Sequence, residues 1–155
     1  MMYLNKKILL LFLHCLVFTF ISCGNNIPYT EETILKRPVG LKLEAKTGLS
    51  FDIIYFVQNE EETFDGYNLY ISRKPISDSE RSSLPPLNLK GSLPTFHHTA
   101  QDVNLTTPVV ENIHLYSDNI TKFEEGVTYY FRMAAHSKYG YLSELSNEIS
   151  EIAIK

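Results

Sequence analysis

Apolar and polar residues alternate with a period of two along most of the chain beyond residue 38. Val39, Leu41 and Leu43 alternate with Gly40, Lys42 and Glu44, the pattern of a strand buried on one face. Ala45 to Gly48 reads as a turn. Leu49, Phe51, Ile53, Tyr55 and Val57 alternate next, with Ile54 and Phe56 making that strand apolar on both faces. Such a strand is either covered twice or meets a partner with its outer face. Glu60-Glu61-Glu62 marks a solvated turn. Gly66 to Ile71 is a third strand, in which Phe64, Tyr67, Leu69 and Ile71 can share one face. A long polar section, Ser72 to Thr107, follows with Pro75, Pro85, Pro86 and Pro94. Its doubled proline excludes an internal sheet strand there. Leu84, Leu87, Leu89 and Leu93 are irregularly spaced and are expected to cap the core edge. Val109 to Tyr116 restores strand character. Phe123 to Gly126 is a turn, and Val127 to Ala135 is a strand with Tyr129, Phe131, Met133 and Ala135 on one face. Ser137 to Ser143 loops around Gly140, and Ile149, Ile152 and Ile154 mark a final strand. About seven short strands, no sustained helical period and no βαβ rhythm predict an all-β fold, an antiparallel two-sheet sandwich.

The N-terminus follows a different pattern. Lys6 and Lys7 precede a 13-residue apolar run, Ile8 to Phe20. That is too short for a membrane span of about 20 residues and suits a secretory signal. Phe20-Ile21-Ser22-Cys23, followed by Gly24-Asn25-Asn26, resembles the lipobox of bacterial lipoproteins, with Phe20 where the family usually has Leu. The resemblance implies cleavage before Cys23, lipid on Cys23 and a domain anchored to a bacterial membrane. Gly24 is not the acidic residue that commonly retains lipoproteins at an inner membrane, so the resemblance allows the outer membrane or the cell surface. Plain secretion and an uncleaved anchor are the alternatives. The expected organisation is a signal over 1–22, a flexible tether over 23–37, and a domain over 38–155 with a long insertion near 72–107.

Cysteine usage agrees with this division. Cys15 lies within the apolar run, so Cys23 is the only thiol in residues 23–155 and no intrachain disulfide can form there. The domain must be held by its core. The formal net charge is −4, and residues 23–155 carry 12 basic and 18 acidic side chains, a net −6. That argues against nucleic acid as a partner and against electrostatic attraction to anionic lipid. Ten Tyr and nine Phe, without Trp, favour strands.

Two stretches sharpen the fold class. Phe123-x-x-Gly126-x-x-Tyr129-x-Phe131-x-Met133-x-Ala135 resembles the fibronectin type III signature leading into strand F. Gly140 to Ile149 is similar to the family's Gly-x-Ser-x-x-Ser loop and strand G, with Ser143 displaced. Phe64-x-x-Tyr67-x-Leu69-x-Ile71 resembles strand C. The resemblance implies that Tyr129 forms a tyrosine corner, its hydroxyl tying the E–F turn to the strand. It also implies that Tyr55 fills the place of the family's strand-B Trp. Glu125 stands where the family has Pro. The likeness covers residues 38–72 and 120–155, and an immunoglobulin-like sandwich of another type is the alternative.

Candidate chemistry is sparse. His97, His98, His114 and Asp102 match no metal-ligand spacing, and adjacent His on a strand point to opposite faces. No nucleophile elbow, Walker loop or thiol nucleophile occurs in residues 24–155. No catalytic, cofactor or metal site is expected, and a hydrolase is the weakest reading. Asn104-Leu105-Thr106 and Asn119-Ile120-Thr121 match a glycosylation pattern and read as polar loops. The better candidates are Lys138, Tyr139, Tyr141 and Leu142 around Gly140, because tyrosine gives large contact area at low entropy cost. The alternative is that Tyr139 or Tyr141 packs on the sandwich end. Ser137-Lys138-Tyr139-Gly140 carries no Arg-Gly-Asp motif, so integrin-type binding does not transfer. The Ser72–Thr107 insertion is the second candidate. The expectation is a membrane-anchored, non-enzymatic module presenting loops to a protein or polysaccharide partner. The alternative is an envelope assembly protein working through its sheet edges or the doubly apolar strand.

Overall fold

The computed structural model describes residues 34–89, 91–116 and 121–155. The signal segment, Cys23, residues 24–33 of the expected tether and Asn119 lie outside the described residues. Among the described residues seven strands form: β1 (Lys42–Lys46), β2 (Ser50–Val57), β3 (Phe64–Ser72), β4 (Phe96–His97), β5 (Asn104–Ile113), β6 (Thr128–Ser137) and β7 (Ile149–Ile152). They make a three-stranded sheet, β1-β2-β5, and a four-stranded sheet, β4-β3-β6-β7, antiparallel throughout. This is an all-β sandwich of the fibronectin type III and immunoglobulin-like kind.

The core between the sheets is aromatic and falls into two clusters. Phe51 meets Phe123 edge-on at 4.8 Å and Phe131 at 5.1 Å, and Phe123 meets Tyr129 at 4.8 Å. The other cluster sets Tyr55 against Tyr67 at 5.6 Å and Phe96 at 5.3 Å, with Phe64 on Tyr67 at 5.0 Å. Most of these rings meet edge-on or tilted and Tyr55 stacks on Phe96, arrangements that stabilise beyond the area they bury. Tyr55 does occupy the core. Burial raises the pKa of its hydroxyl, which lies 2.9 Å from His98 Nε2. Tyr129, Phe131, Met133 and Ala135 are all buried, as their alternation requires. The Tyr129 hydroxyl accepts the Glu124 N–H at 3.1 Å, which is the tyrosine corner.

In a regular strand Phe64 and Tyr67, three apart, would face opposite ways. A register break between Phe64 and Gly66 makes Asp65 an extra residue. Both aromatic rings then turn inward, while Asp65 shares the outer side with His136. Gly66 is required at the bulge. Its φ is +136°, and a Cβ there would lie 2.0 Å from the Phe96 carbonyl oxygen. That absence of a side chain lets β4 pair with β3.

Several boundaries differ from the sequence reading. Ala45 and Lys46 are not turn residues; they pair with Phe51 and Ser50, and the turn is Thr47–Leu49. β5 starts at Asn104, inside the expected insertion, and ends at Ile113. It is an edge strand, so polar Asn104, Thr106 and Thr107 and the donor-less Pro108 are tolerated. Its pairing jumps from Tyr55–Val109 to Val57–Asn104, and Asn104 Oδ1 accepts the N–H groups of Thr106 and Thr107 inside that irregularity. Just past the last strand Ala153 is buried, while Ile152 and Ile154 are exposed.

The domain also begins earlier than residue 38. Leu35 is 5% exposed and belongs to the core. The Lys36 N–H donates to Glu61 Oε1 at 2.7 Å, and Asn59 Nδ2 donates to the Lys36 carbonyl at 2.9 Å. Residues 34–37 are therefore docked on the domain, because a buried leucine and two backbone bonds hold them.

Candidate functional site

The loop after β6 is a tight hydrogen-bonded turn. The Gly140 N–H donates to the Ser137 carbonyl at 2.9 Å, and the Ser137 N–H to the Tyr141 carbonyl at 3.0 Å. Ser137 Oγ accepts the N–H groups of Tyr141 at 2.9 Å and Tyr139 at 3.3 Å. Gly140, with φ at +80°, closes the turn. Three of the four candidate side chains face water: Tyr139 is 71% exposed, Tyr141 49% and Leu142 37%. Tyr139 projects into solvent, and Tyr141 is half exposed. The fourth, Lys138, braces the loop, its Nζ donating to the Glu62 carbonyl and its N–H to the Thr63 carbonyl.

Beyond the loop the chain does not form a regular strand until Ile149. Serine side chains supply part of the missing ladder. Ser143 Oγ accepts the Ala135 N–H and Ser146 Oγ accepts the Met133 N–H, each at 2.9 Å. Residues 133 and 135 point the same way on β6, and the Ser-x-x-Ser spacing reaches both. The two serines are buried, so these bonds leave no N–H stranded.

The expected insertion is ordered along its described length and lies partly on the outer face of the four-stranded sheet. Arg132 on β6 clamps it: Nε donates to the Ser146 carbonyl at 2.9 Å, Nη1 to the Ile76 carbonyl at 2.8 Å, and Nη1 lies 3.1 Å from Asp78 Oδ1. The Ile76 N–H donates to Glu148 Oε2. Tyr70, Ile76, Ala134 and Leu145 form a second small core there, with Leu84 against it. Of the four irregular leucines, Leu87 is fully buried in the main core, Leu89 packs at its margin, Leu84 packs on the second small core, and Leu93 is exposed.

A groove of about 420 Å³ lies between this segment and the loop. Its wall is aliphatic, from Leu84, Pro85, Pro86, Leu93 and Leu142, and its polar lining includes Asn68, Arg81 and His136. Arg81 Nη1 donates to the Ser143 carbonyl at 2.6 Å. Burial raises the Tyr70 hydroxyl pKa, against the opposing effects of a hydrogen bond with Asn68 and the Arg81 charge. Burial lowers the His136 pKa, although Asp65 Oδ2 stands 3.6 Å from its Nδ1 and acts the other way. Neither Asn68 nor Arg81 stands out in the sequence as a site residue. The available signal was Tyr70 and Ala134 at outward positions of neighbouring strands, which marks a covered outer face.

The histidines do not gather. His98 turns inward to Tyr55, while His97 is exposed on the other side of β4. Asp102 closes a capping box on Thr99, and His114 is exposed beyond β5. Among the described residues no group of three or more His, Cys, Asp or Glu side chains is placed to hold a metal ion.

No family model and no curated protein matches this chain. Solved structures similar to it include a beta-1,2-glucanase from Parabacteroides distasonis, at TM-score 0.47 and 16% identity over 79% of this chain. A myokine structure follows at TM-score 0.45 and 16% identity over 77%. The chicken CNTN1 FN1-FN3 domains stand at TM-score 0.47 and 9% identity over 78%. The match spans 13% of the glucanase chain, 98% of the myokine and 32% of the CNTN1 chain.

Proposed function

We propose that the chain is a membrane-anchored lipoprotein, tied through lipid on Cys23, whose sandwich acts as a non-enzymatic binding module for a protein or polysaccharide partner. The observation that carries the binding role is the exposure of Tyr139, Tyr141 and Leu142 on a turn already fixed by hydrogen bonds. Large amphipathic side chains held in place lose little entropy on binding. The anchoring half rests on the lipobox resemblance. Metabolic labelling with a palmitate analogue tests it: label on the wild type and none on Cys23→Ser is expected, and equal label would end that half.

For the loop, partners crosslinked on intact cells are identified and their affinity measured against wild type and the Tyr139→Ala/Tyr141→Ala pair. We expect at least a tenfold loss, about 1.4 kcal/mol, with the melting temperature unchanged because both rings are exposed. Undiminished affinity removes the loop from the site.

A second reading has its own observation. Val110 and Leu105 on the edge strand β5 are exposed, and the outward Ile54 and Phe56 of β2 are only partly covered. An assembly role through that sheet predicts self-association that Val110→Lys abolishes, measured by sedimentation.

A further inference from the structure

Asn68 is 2% exposed, lines the groove, and its Oδ1 has no hydrogen-bond partner. A buried amide oxygen left unsatisfied is costly unless something completes it. The charge in the lining is positive as well. Arg81 lines the groove, no Asp or Glu does among the described residues, and burial favours the neutral ring of the lining His136, in a chain whose net charge is −4. The apolar lining is aliphatic, from leucines and prolines, and the lining Tyr70 is itself buried. No exposed ring lies in the groove for a sugar to stack on. A groove of this size holds one or two side chains rather than a folded surface.

Resting on the binding-module reading, we propose that the groove receives an extended peptide segment of a protein partner, one aliphatic side chain seated against Leu84, Pro85, Pro86 and Leu93 beside an acidic residue paired with Arg81. An extended backbone presents N–H groups, which can donate to Asn68 Oδ1, and carbonyls, which can accept from the guanidinium of Arg81. The exposed Tyr139 and Tyr141 stand on the adjacent loop, next in sequence to the lining residues Gly140 and Leu142. Selectivity comes from one small apolar contact and one charge, the arrangement by which short motifs are read.

The test is selection of random twelve-residue peptides on the full chain, followed by affinity measurements on Arg81→Gln, Leu93→Ser and the Tyr139→Ala/Tyr141→Ala pair. Thermal melts confirm folding, and Leu93 is exposed, so its variant is not expected to unfold. Expected is enrichment of peptides with Leu, Ile or Val next to Asp or Glu. Their binding should fall at least tenfold in both groove variants and on changing the acid to its amide. Recovery of no peptide, or peptides that bind both groove variants as well as wild type, overturns the proposal. So does groove-dependent binding of arrayed glycans without peptide binding. Loss in the tyrosine pair alone refutes the groove and keeps the loop. Loss in the groove variants alone keeps the groove and refutes the loop.

Discussion

Gly66 carries more of the architecture than any other small residue, because two strands use the space a side chain would take. Gly66→Ala places a Cβ against the Phe96 carbonyl in a conformation that L side chains rarely adopt. We expect a loss of about 2 kcal/mol or more in urea unfolding, with exchange of β4 amides rising first. A variant as stable as wild type would show that β4 docking does not depend on the close approach. Tyr129→Phe keeps the ring contacts and removes only the acceptor of the Glu124 N–H, so a loss of about 1–2 kcal/mol is expected. Ser146→Ala strands the Met133 N–H at a buried position. Its cost should be about 1–3 kcal/mol, with faster exchange at that amide. An unchanged amide would mean that another acceptor takes over.

At the scale of elements, strands with strict alternation were legible. Phe51, Ile53, Tyr55 and Val57 in β2, and Tyr129, Phe131, Met133 and Ala135 in β6, are buried as the period of two demands. Two kinds of element were read in part or not at all. β5 was legible over Val109–Ile113 but not over Asn104–Thr107, because burial imposes no alternation on an edge strand. The insertion is held by single long-range contacts, and those leave no period. Arg132 bridges β6 to Ile76, Asp78 and Ser146, and nothing in the local sequence distinguishes it from a solvated arginine. The candidate loop was legible because Gly140 and its tyrosines are contiguous. The groove beside it was not, because Asn68, Arg81 and His136 come from three separate segments. We expect Arg132→Met to speed amide exchange over residues 73–86 while β2 stays protected, with a stability loss of about 1–3 kcal/mol. Equal protection in both segments would show that the second small core holds the insertion without the clamp.

For the whole molecule, the half-buried histidines set the pH response. Burial is the main effect on both His98 and His136 and lowers each below the ordinary 6.5. A depressed histidine pKa means the fold prefers the neutral ring. That stability is fully present above about pH 6.5 and is lost as pH falls through the folded-state values. Asp52, Asp102 and Glu80 are held low mainly by hydrogen bonds, from Asn112, Thr99 and Ser77 respectively. Their contribution is lost in a lower window, beneath their ordinary values of 3.8 and 4.5. Urea midpoints should therefore decline from pH 7 to pH 5, and His98→Gln should flatten that decline. A slope unchanged in the variant would shift the effect to other groups.

The docking of Leu35 has a consequence for reach. Residues 36 and 39 are bonded to the connection after β2, through Asn59, Glu61 and Gln58, and Lys138 of the candidate loop is bonded to the same connection at Glu62 and Thr63. The chain thus enters at the end of the sandwich that carries Tyr139 and Tyr141, while Ile154 leaves beside Leu49 at the other. If Cys23 is fixed to a membrane, the intervening residues 24–33 give at most about 33–36 Å of clearance. The partner must fit into that gap or approach from its side. Headroom, as much as affinity, would then decide what binds. A flexible spacer inserted before residue 34 should raise partner capture on cells without changing the affinity of the detached domain.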